Sequence, residues 1–437
     1  MRKFLASIIL TSFSAFSFAQ SLDEKIGEAM NTSDWFALDS IYNEASKDSI
    51  SEFLEVFSRC LIGNRFNRTD ISIPAFAELL NTLSLDMGNL VSSAAMYAMD
   101  LSRVGEYAQA AQMLTAIIDA TKPHLKDSSL STLEQFATLY SALSNYNPYQ
   151  ITFEDDATGV IPFKYGKIGP EEKQQVLIHL ENSTINGIDA DIIFDTGAGV
   201  NIISDSLAAK YGLIPLDTSF EVKGHELTKG RYAIAKELKI GNITVADVPF
   251  LITSISTNNA EADKYFKDFN LVVGCELMLQ LKDLTIDFQN KEIIVPSVAP
   301  SRSDEKPNMC FSYGMGLLAK AIIKDTPLNM IVDTGKTDYA TLLNTFYEKN
   351  KAYIRKHSVK EKIRTAGIGG VNVAKHYRML DTKLTLGGNS VIVPYMFISP
   401  NDKKLTCTSN NVLGLNSLML FSKVRFNMVD FVLTTEL

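Results

Sequence analysis

Two aspartates stand at the end of apolar runs and in front of a glycine-permitted turn: Asp191-Ile-Ile-Phe-Asp195-Thr-Gly-Ala-Gly199 and, 138 residues on, Met330-Ile-Val-Asp333-Thr-Gly-Lys336. A carboxylate at the end of a buried strand must find a partner, a shared proton or a metal, because an isolated charge there is costly. The two aspartates can be each other's partner. At contact distance two like charges do not both ionise readily, so one proton is held to higher pH. The ionised member then takes a proton from water while the protonated member gives one to a carbonyl oxygen, which hydrolyses an amide without metal or covalent intermediate. The glycine after each Asp-Thr lets the turn bring backbone N–H groups close to the carboxylate.

Both motifs have the same sequel. About 80 residues later comes a second apolar run ending in glycine, Leu271-Val-Val-Gly274 and Asn411-Val-Leu-Gly414, and the residues after Gly274 and Gly414 also follow one pattern. The glycines are 140 residues apart, nearly the spacing of the aspartates, so an internal duplication accounts for all four landmarks. The repeat resembles the retropepsin-like and pepsin-like aspartic peptidases of the exported bacterial type, in which each lobe carries Asp-Thr-Gly and a later apolar-apolar-Gly. This resemblance covers roughly residues 150 to 437. It implies Asp195 and Asp333 as the catalytic pair, and Thr196 and Thr334 as hydroxyls bonding across the lobe junction. Gly197, Ala198, Gly335, Gly274 and Gly414 are implied as supporting positions. The second motif departs from the family with Lys336, where a small residue or a hydroxyl is usual; its long stem is expected to carry the ammonium to solvent.

The elements that must deliver these residues are short strands of period two. Ile161-Pro-Phe163, Val176 to Leu180 and Ala190 to Phe194 read as strands, with Asn186-Gly187 a hairpin turn between the last two. Ser204 to Tyr211 reads as a helix, Gly224 to Gly230 as a hairpin tip, and Leu238 to Val245 and Val248 to Ile252 as paired strands. The order recurs with Gly316 to Ile323, Leu328 to Val332, a helix near Leu342 to Asn350, and strands at Thr382 to Leu386 and Val391 to Ile398. Gly367, Ile368, Gly369 and Gly370 resemble the glycine-rich flap tip of retropepsins, and Gly224 and Gly230 are the first-half counterparts; an ordinary hairpin loop is the competing reading.

From Ser21 to about Asn147 the periodicity is helical and predicts six or seven helices, one capped by Asp34 and one by Ser131. Gly105 to Leu114 resembles the turn and second helix of a tetratricopeptide repeat, so the expectation is stacked helix pairs, with a plain bundle as alternative. Asn147-Pro148 ends the helical pattern.

The 437 residues, 46% hydrophobic and 21% charged, describe a globular chain of several domains. A net charge of -8 and no evident Lys/Arg stripe argue against nucleic acid. Scattered histidines and cysteines give no metal-ligand spacing, and no cofactor is implied. The pairing of Cys60, Cys275, Cys310 and Cys407 stays open. Met1 to Ala19 has the charged start, apolar body and small-x-small end of a cleaved signal peptide. The parts are therefore 1–19, a signal peptide; 20–147, a helical tetratricopeptide-like domain; and two retropepsin-like lobes at 150–300 and 305–437.

The fold class expected is multidomain: an all-α N-terminal helical-hairpin domain followed by an all-β bilobal acid-protease fold of two retropepsin-like β-barrel lobes. The expected function is an exported aspartic endopeptidase, periplasmic or secreted, acting on an extended peptide or protein. A protein partner at the helical domain, no nucleic acid and no stable membrane insertion complete the expectation. The alternative is a catalytically weak or inactive pepsin-like binding module, kept open by Lys336. A two-carboxylate glycoside hydrolase is disfavoured, since it needs no duplicated Asp-Thr-Gly and the chain's single Trp, Trp35, lies in the helical part.

Overall fold

The computed structural model describes residues 21–82, 85–156, 158–168, 175–223, 227–253, 263–264, 270–312, 315–367, 370–400 and 410–437. The expected signal peptide and Cys407 lie outside them. Met1–Asn147 and Pro148–Leu437 form two compact units.

In the first unit the described residues form seven α-helices between Leu22 and Leu143, and each packs on the next in sequence. Ser21 and Glu24 close a capping box on the first, and Asp34 caps the second by accepting from Ala37 N. Ser131 is not a cap. The last helix spans Asp127–Leu143, starting five residues earlier than a Ser131 cap implies, because Asp127 complements the helix N-terminus and Ser128 and Ser129 fill the first turn. Gly105 takes a φ of 83° between the helices Met87–Arg103 and Tyr107–Thr121, and the buried Ala110 and Ala111 let the second approach its neighbours. Asp100 is fully buried beneath them, taking hydrogen bonds from Asn64 and Arg103 at 2.8 Å each.

In the β unit the same order of elements appears twice. The strand ending at each Asp-Thr-Gly lies parallel to the strand ending at the later glycine: Val273 pairs with Phe194, and Gly414 with Asp333. A short strand, Ile202–Ile203 or Ala340–Leu342, lies antiparallel on the far side of that second strand and parallel to a long strand, Ile243–Thr253 or Asn389–Ile398. A parallel neighbour on one side and an antiparallel one on the other pin each central strand, and the all-apolar Leu271–Val273 is buried on both faces. The duplicated segments Asp283–Asp287 and Lys423–Asn427 pair antiparallel with each other, Thr285 opposite Arg425 at the centre. The bidentate hydrogen bonds from Arg425 to the buried Asp283 carboxylate close this seam at 2.9 and 2.8 Å. One core runs through the unit and takes Phe163 and Phe250 from the first half and Phe311 and Phe346 from the second.

Two expected strand assignments change. Asn186 and Gly187, with φ of 51° and 77°, join two very short strands, Ser183–Ile185 and Ile188–Asp189, rather than the strands on either side. Those outer strands still pair, His179 with Ile193, across the inserted ribbon. Leu238 to Val245 is the turn of a long hairpin and not one strand: Gly241 takes a φ of 58°, Ile240 pairs with Ile243, and the strands extend over Leu227–Ile240 and Ile243–Thr253. Elsewhere the elements are present with shifted ends, longer in the helix Asn344–His357 and the hairpin Ser358–Gly367 with Gly370–Leu386, shorter in the strand Ile192–Phe194 and the helix Asp205–Lys210. No helix among the described residues is long and apolar enough to cross a membrane.

Candidate active site

The two parallel strand ends bring the Asp-Thr-Gly loops face to face. Thr196 Oγ1 donates to Val332 O at 2.8 Å and accepts from Thr334 N at 3.1 Å. Thr334 Oγ1 donates to Phe194 O at 2.8 Å and accepts from Thr196 N at 3.0 Å. Each hydroxyl thus spends its donor and one acceptor on the opposite loop, and both threonines are fully buried. Four such bonds, with partners that would be left unsatisfied on loss of either residue, hold the loops in register.

This register sets the carboxyls of Asp195 and Asp333 in hydrogen-bond contact with each other. Their surroundings differ. Asp195 Oδ1 accepts from Gly197 N at 2.8 Å and from Gly335 N of the opposite loop at 3.1 Å, whereas Asp333 Oδ1 accepts from Lys336 N at 2.9 Å. More donors favour the anion, so Asp195 carries the charge and Asp333 the proton. Burial raises both pKa values, and for Asp333 the neighbouring Asp195 charge adds to it, pushing it up to about 8 against the opposing pull of the Lys336 ammonium.

The glycines act across the junction. A Cβ on Gly197 would lie 2.5 Å from Asp333 Cγ, and one on Gly335 would lie 2.5 Å from Asp195 Cγ. Each glycine thus makes room for the other half's carboxyl, a tighter requirement than bending its own turn. Gly274 and Gly414 press in the same way on the backbone of the loops, where Cys275 N donates to Ala198 O and Leu415 N to Lys336 O, both at 2.8 Å.

Lys336 does not reach solvent as expected. Its side chain is 18% exposed, and its ammonium ion-pairs with Asp338 at 2.7 Å. The acidic residue two positions on, unremarked in the sequence, draws the stem along the loop.

Gly230 lies in the strand Leu227–Ile240, opposite Phe220 and Thr253, and not at a tip. The strand Phe220–Lys223 pairs antiparallel with residues 227–230, and Gly224 lies outside the described residues. Gly367 pairs with Gly370 at the end of the second-half hairpin, and Ile368 and Gly369 between them are likewise outside.

Two supporting residues were not anticipated. Buried Asn201 accepts from Gly274 N at 3.1 Å and donates to Tyr149 Oη at 3.0 Å and Pro249 O at 3.2 Å. Glu276 sits beside it, its pKa pushed up to about 7 by burial. A polar residue inside Val200-Asn201-Ile202-Ile203 was the available signal for Asn201. Cys275, a free buried thiol like Cys60, donates to Thr196 O at 3.0 Å.

A family model described as aspartyl protease matches residues 182–265, the stretch that contains the first Asp-Thr-Gly loop. Among solved structures, EIAV protease complexed with the inhibitor HBY-793 matches at 20% identity over 28% of this chain and 91% of that chain, with a TM-score of 0.16. No curated protein matches the chain. The chain carries an aspartyl-protease-like domain, in the β unit that follows the helical region.

Proposed function

We propose that the chain is an exported aspartic endopeptidase whose β unit consists of two fused retropepsin-like lobes, with the reacting water held between Asp195 and Asp333. The observation that carries this reading is the close approach of two half-buried carboxyls contributed by two copies of one motif, each lying against the glycine of the other loop. Asp195, stabilised as the anion by Gly197 N and Gly335 N, takes a proton from water as the oxygen bonds to the substrate's carbonyl carbon. Asp333 gives its proton to the carbonyl oxygen, so the tetrahedral intermediate is neutral. Transfer of the proton now on Asp195 to the amide nitrogen breaks the C–N bond, and Asp333 regains a proton from one hydroxyl of the intermediate as the carbonyl of the carboxylic-acid product forms.

Lys336 was the feature that kept the inactive-module alternative open, and its pairing with Asp338 answers that concern. The basic start and small-x-small end of residues 1–19 support export, and a mature N-terminus at Gln20 is the expected mass. Consecutively packed helices support a tetratricopeptide-like role for the first unit in docking a protein partner. The deciding assay is cleavage of an unfolded protein substrate by the purified chain, compared with Asp195→Asn. Internal cleavage lost in the variant supports the proposal; equal cleavage by both overturns it.

A further inference from the structure

The glycine at the end of each central strand is held by the sixth residue past its aspartate, but through different groups. Gly414 N donates to the backbone carbonyl of Tyr339 at 2.7 Å, and Ser417 Oγ donates to the same oxygen at 2.9 Å. A carbonyl fixed in the chain cannot turn away. In the first half Gly274 N donates instead to the side-chain oxygen of Asn201, an amide that can rotate about its own bonds. Its orientation must come from what its nitrogen touches, which is Pro249 O at 3.2 Å and the hydroxyl of Tyr149 at 3.0 Å.

Tyr149 lies outside the duplicated pattern. It follows Asn147-Pro148, where the helical periodicity ends, and its N–H donates to Ala246 O at 3.0 Å, just before the strand Gln150–Phe153. Its φ is 64°, a left-handed backbone that a bulky residue keeps only when its surroundings hold it there. The side chain is 6% exposed and belongs to the core of the β unit. Its oxygen meets the Glu276 carboxyl as well as the Asn201 amide, which engages both its donor and an acceptor. Phenylalanine would serve packing alone; the engaged hydroxyl and the strained backbone point to the oxygen.

What the amide holds is close to the chemistry. A Cβ on Gly274 would lie 2.3 Å from Ala198 O, and Cys275 N donates to that oxygen at 2.8 Å. Ala198 closes the turn in which the N–H groups of Gly197 and Ala198 favour the Asp195 anion. We propose that Tyr149 is a positioning residue for the base Asp195, its hydroxyl orienting Asn201 so that Gly274 keeps the first Asp-Thr-Gly turn closed on the carboxylate, a role that rests on the peptidase reading above.

Tyr149→Phe deletes the oxygen and keeps the ring. It leaves in place the charged and titratable groups that face these elements: Glu276 beside the hydroxyl, Asp333 and Cys275 beside Asp195, and Lys336 beside Asp333. The first measurement is a carbon-13 NMR titration of the aspartate carboxyls in the folded full chain, with the Asp195 signal identified by its loss in Asp195→Asn. Weaker support of the anion should raise the lower of the pair's two steps by roughly half a pH unit and leave the upper one in place. The second is kcat and KM for a peptide substrate across pH. The acid limb should move upward with the titration, kcat should fall roughly two- to ten-fold, the scale of one buried hydrogen bond, and KM should stay within about two-fold. Tyr211→Phe, which removes a hydroxyl bonded to Asp189 O in the same half, should change neither measurement. If Tyr149→Phe melts lower, both titrations are recorded at a temperature where both chains are folded. A Tyr149→Phe titration that matches the unaltered chain overturns the proposal, and so does a lower kcat with an unmoved acid limb, the mark of a merely less stable fold. Cleavage that never depends on Asp195 overturns the peptidase reading, while the carboxyl titration still decides whether Tyr149 supports that carboxylate.

Discussion

The two Asp-Thr-Gly loops are copies in backbone and unequal in surroundings. Each sends a threonine hydroxyl into the other, and each clears space with a glycine for the other's carboxyl. The glycine that ends the following strand is held differently in the two halves. Gly274 N donates to the side chain of Asn201, whereas Gly414 N donates to the backbone carbonyl of Tyr339 at 2.7 Å; both acceptors come from the sixth residue after their aspartate. The first loop surrounds its carboxylate with N–H donors and places the small Ala198 after its glycine, whereas the second places a cation and its counter-ion there. The frame is symmetric, and in the proposed mechanism the departures from symmetry assign the two aspartates separate roles as base and acid.

The largest effect tests whether both halves are needed at all. Asp195→Asn and Asp333→Asn should each lower peptidase turnover by about 10²–10⁴-fold or more, and the double variant should be little worse than either, since base and acid act as a unit. Substantial turnover by one single variant would make its half a binding surface only. Next come the frame residues. Thr196→Val and Thr334→Val each leave buried partners unsatisfied in the opposite loop and should cost about 1–3 kcal/mol per group in denaturant unfolding. The double variant should cost less than the sum, because each hydroxyl accepts from the other threonine's N–H and the two hold one junction. Additive losses would mean that the loops are held from elsewhere.

A smaller effect concerns stability against pH. Asp333 has a folded pKa raised to about 8, against about 3.9 for an unfolded Asp. The unfolded state therefore loses this proton first as pH rises, so the stabilisation held below about 3.9 is lost by stages up to about 8. Asp333→Asn should flatten melting temperature over that window and raise it near neutrality, while the acid-side melting temperature stays similar. An unchanged slope would place the titration on another group.

The smallest shift separates the two loops. Lys336→Ala removes the cation that favours ionisation of Asp333 and should move the alkaline limb of the activity profile upward; Asp338→Asn, which leaves that cation uncompensated, should move it downward. Equal profiles for both variants would show that Lys336 is electrostatically silent.

How much of this was legible in the sequence follows from what encodes it. Strand ends, Asp-Thr-Gly and apolar-apolar-Gly are local patterns with a repeat spacing, so both aspartates, the crossing threonines and the paired glycines were readable. The inserted ribbon at Asn186-Gly187 misled because a strong turn dipeptide does not say which strands it joins. Ser131 misled because the residues before it were equally good helix starters. Lys336 was read as solvated because its partner stands two positions on in a loop whose course only tertiary contacts fix. Asn201 was missed because it is a single polar residue in an apolar run.

The central claim, one proton shared between unlike aspartates, is tested most directly by kcat/KM for a peptide substrate measured across pH. The account predicts a bell with two limbs: an acid limb where Asp195 becomes protonated and no base remains, and an alkaline limb approaching pH 8, where Asp333 loses its proton and no acid remains. A profile with a single ionisation, or activity undiminished well above pH 8, contradicts it.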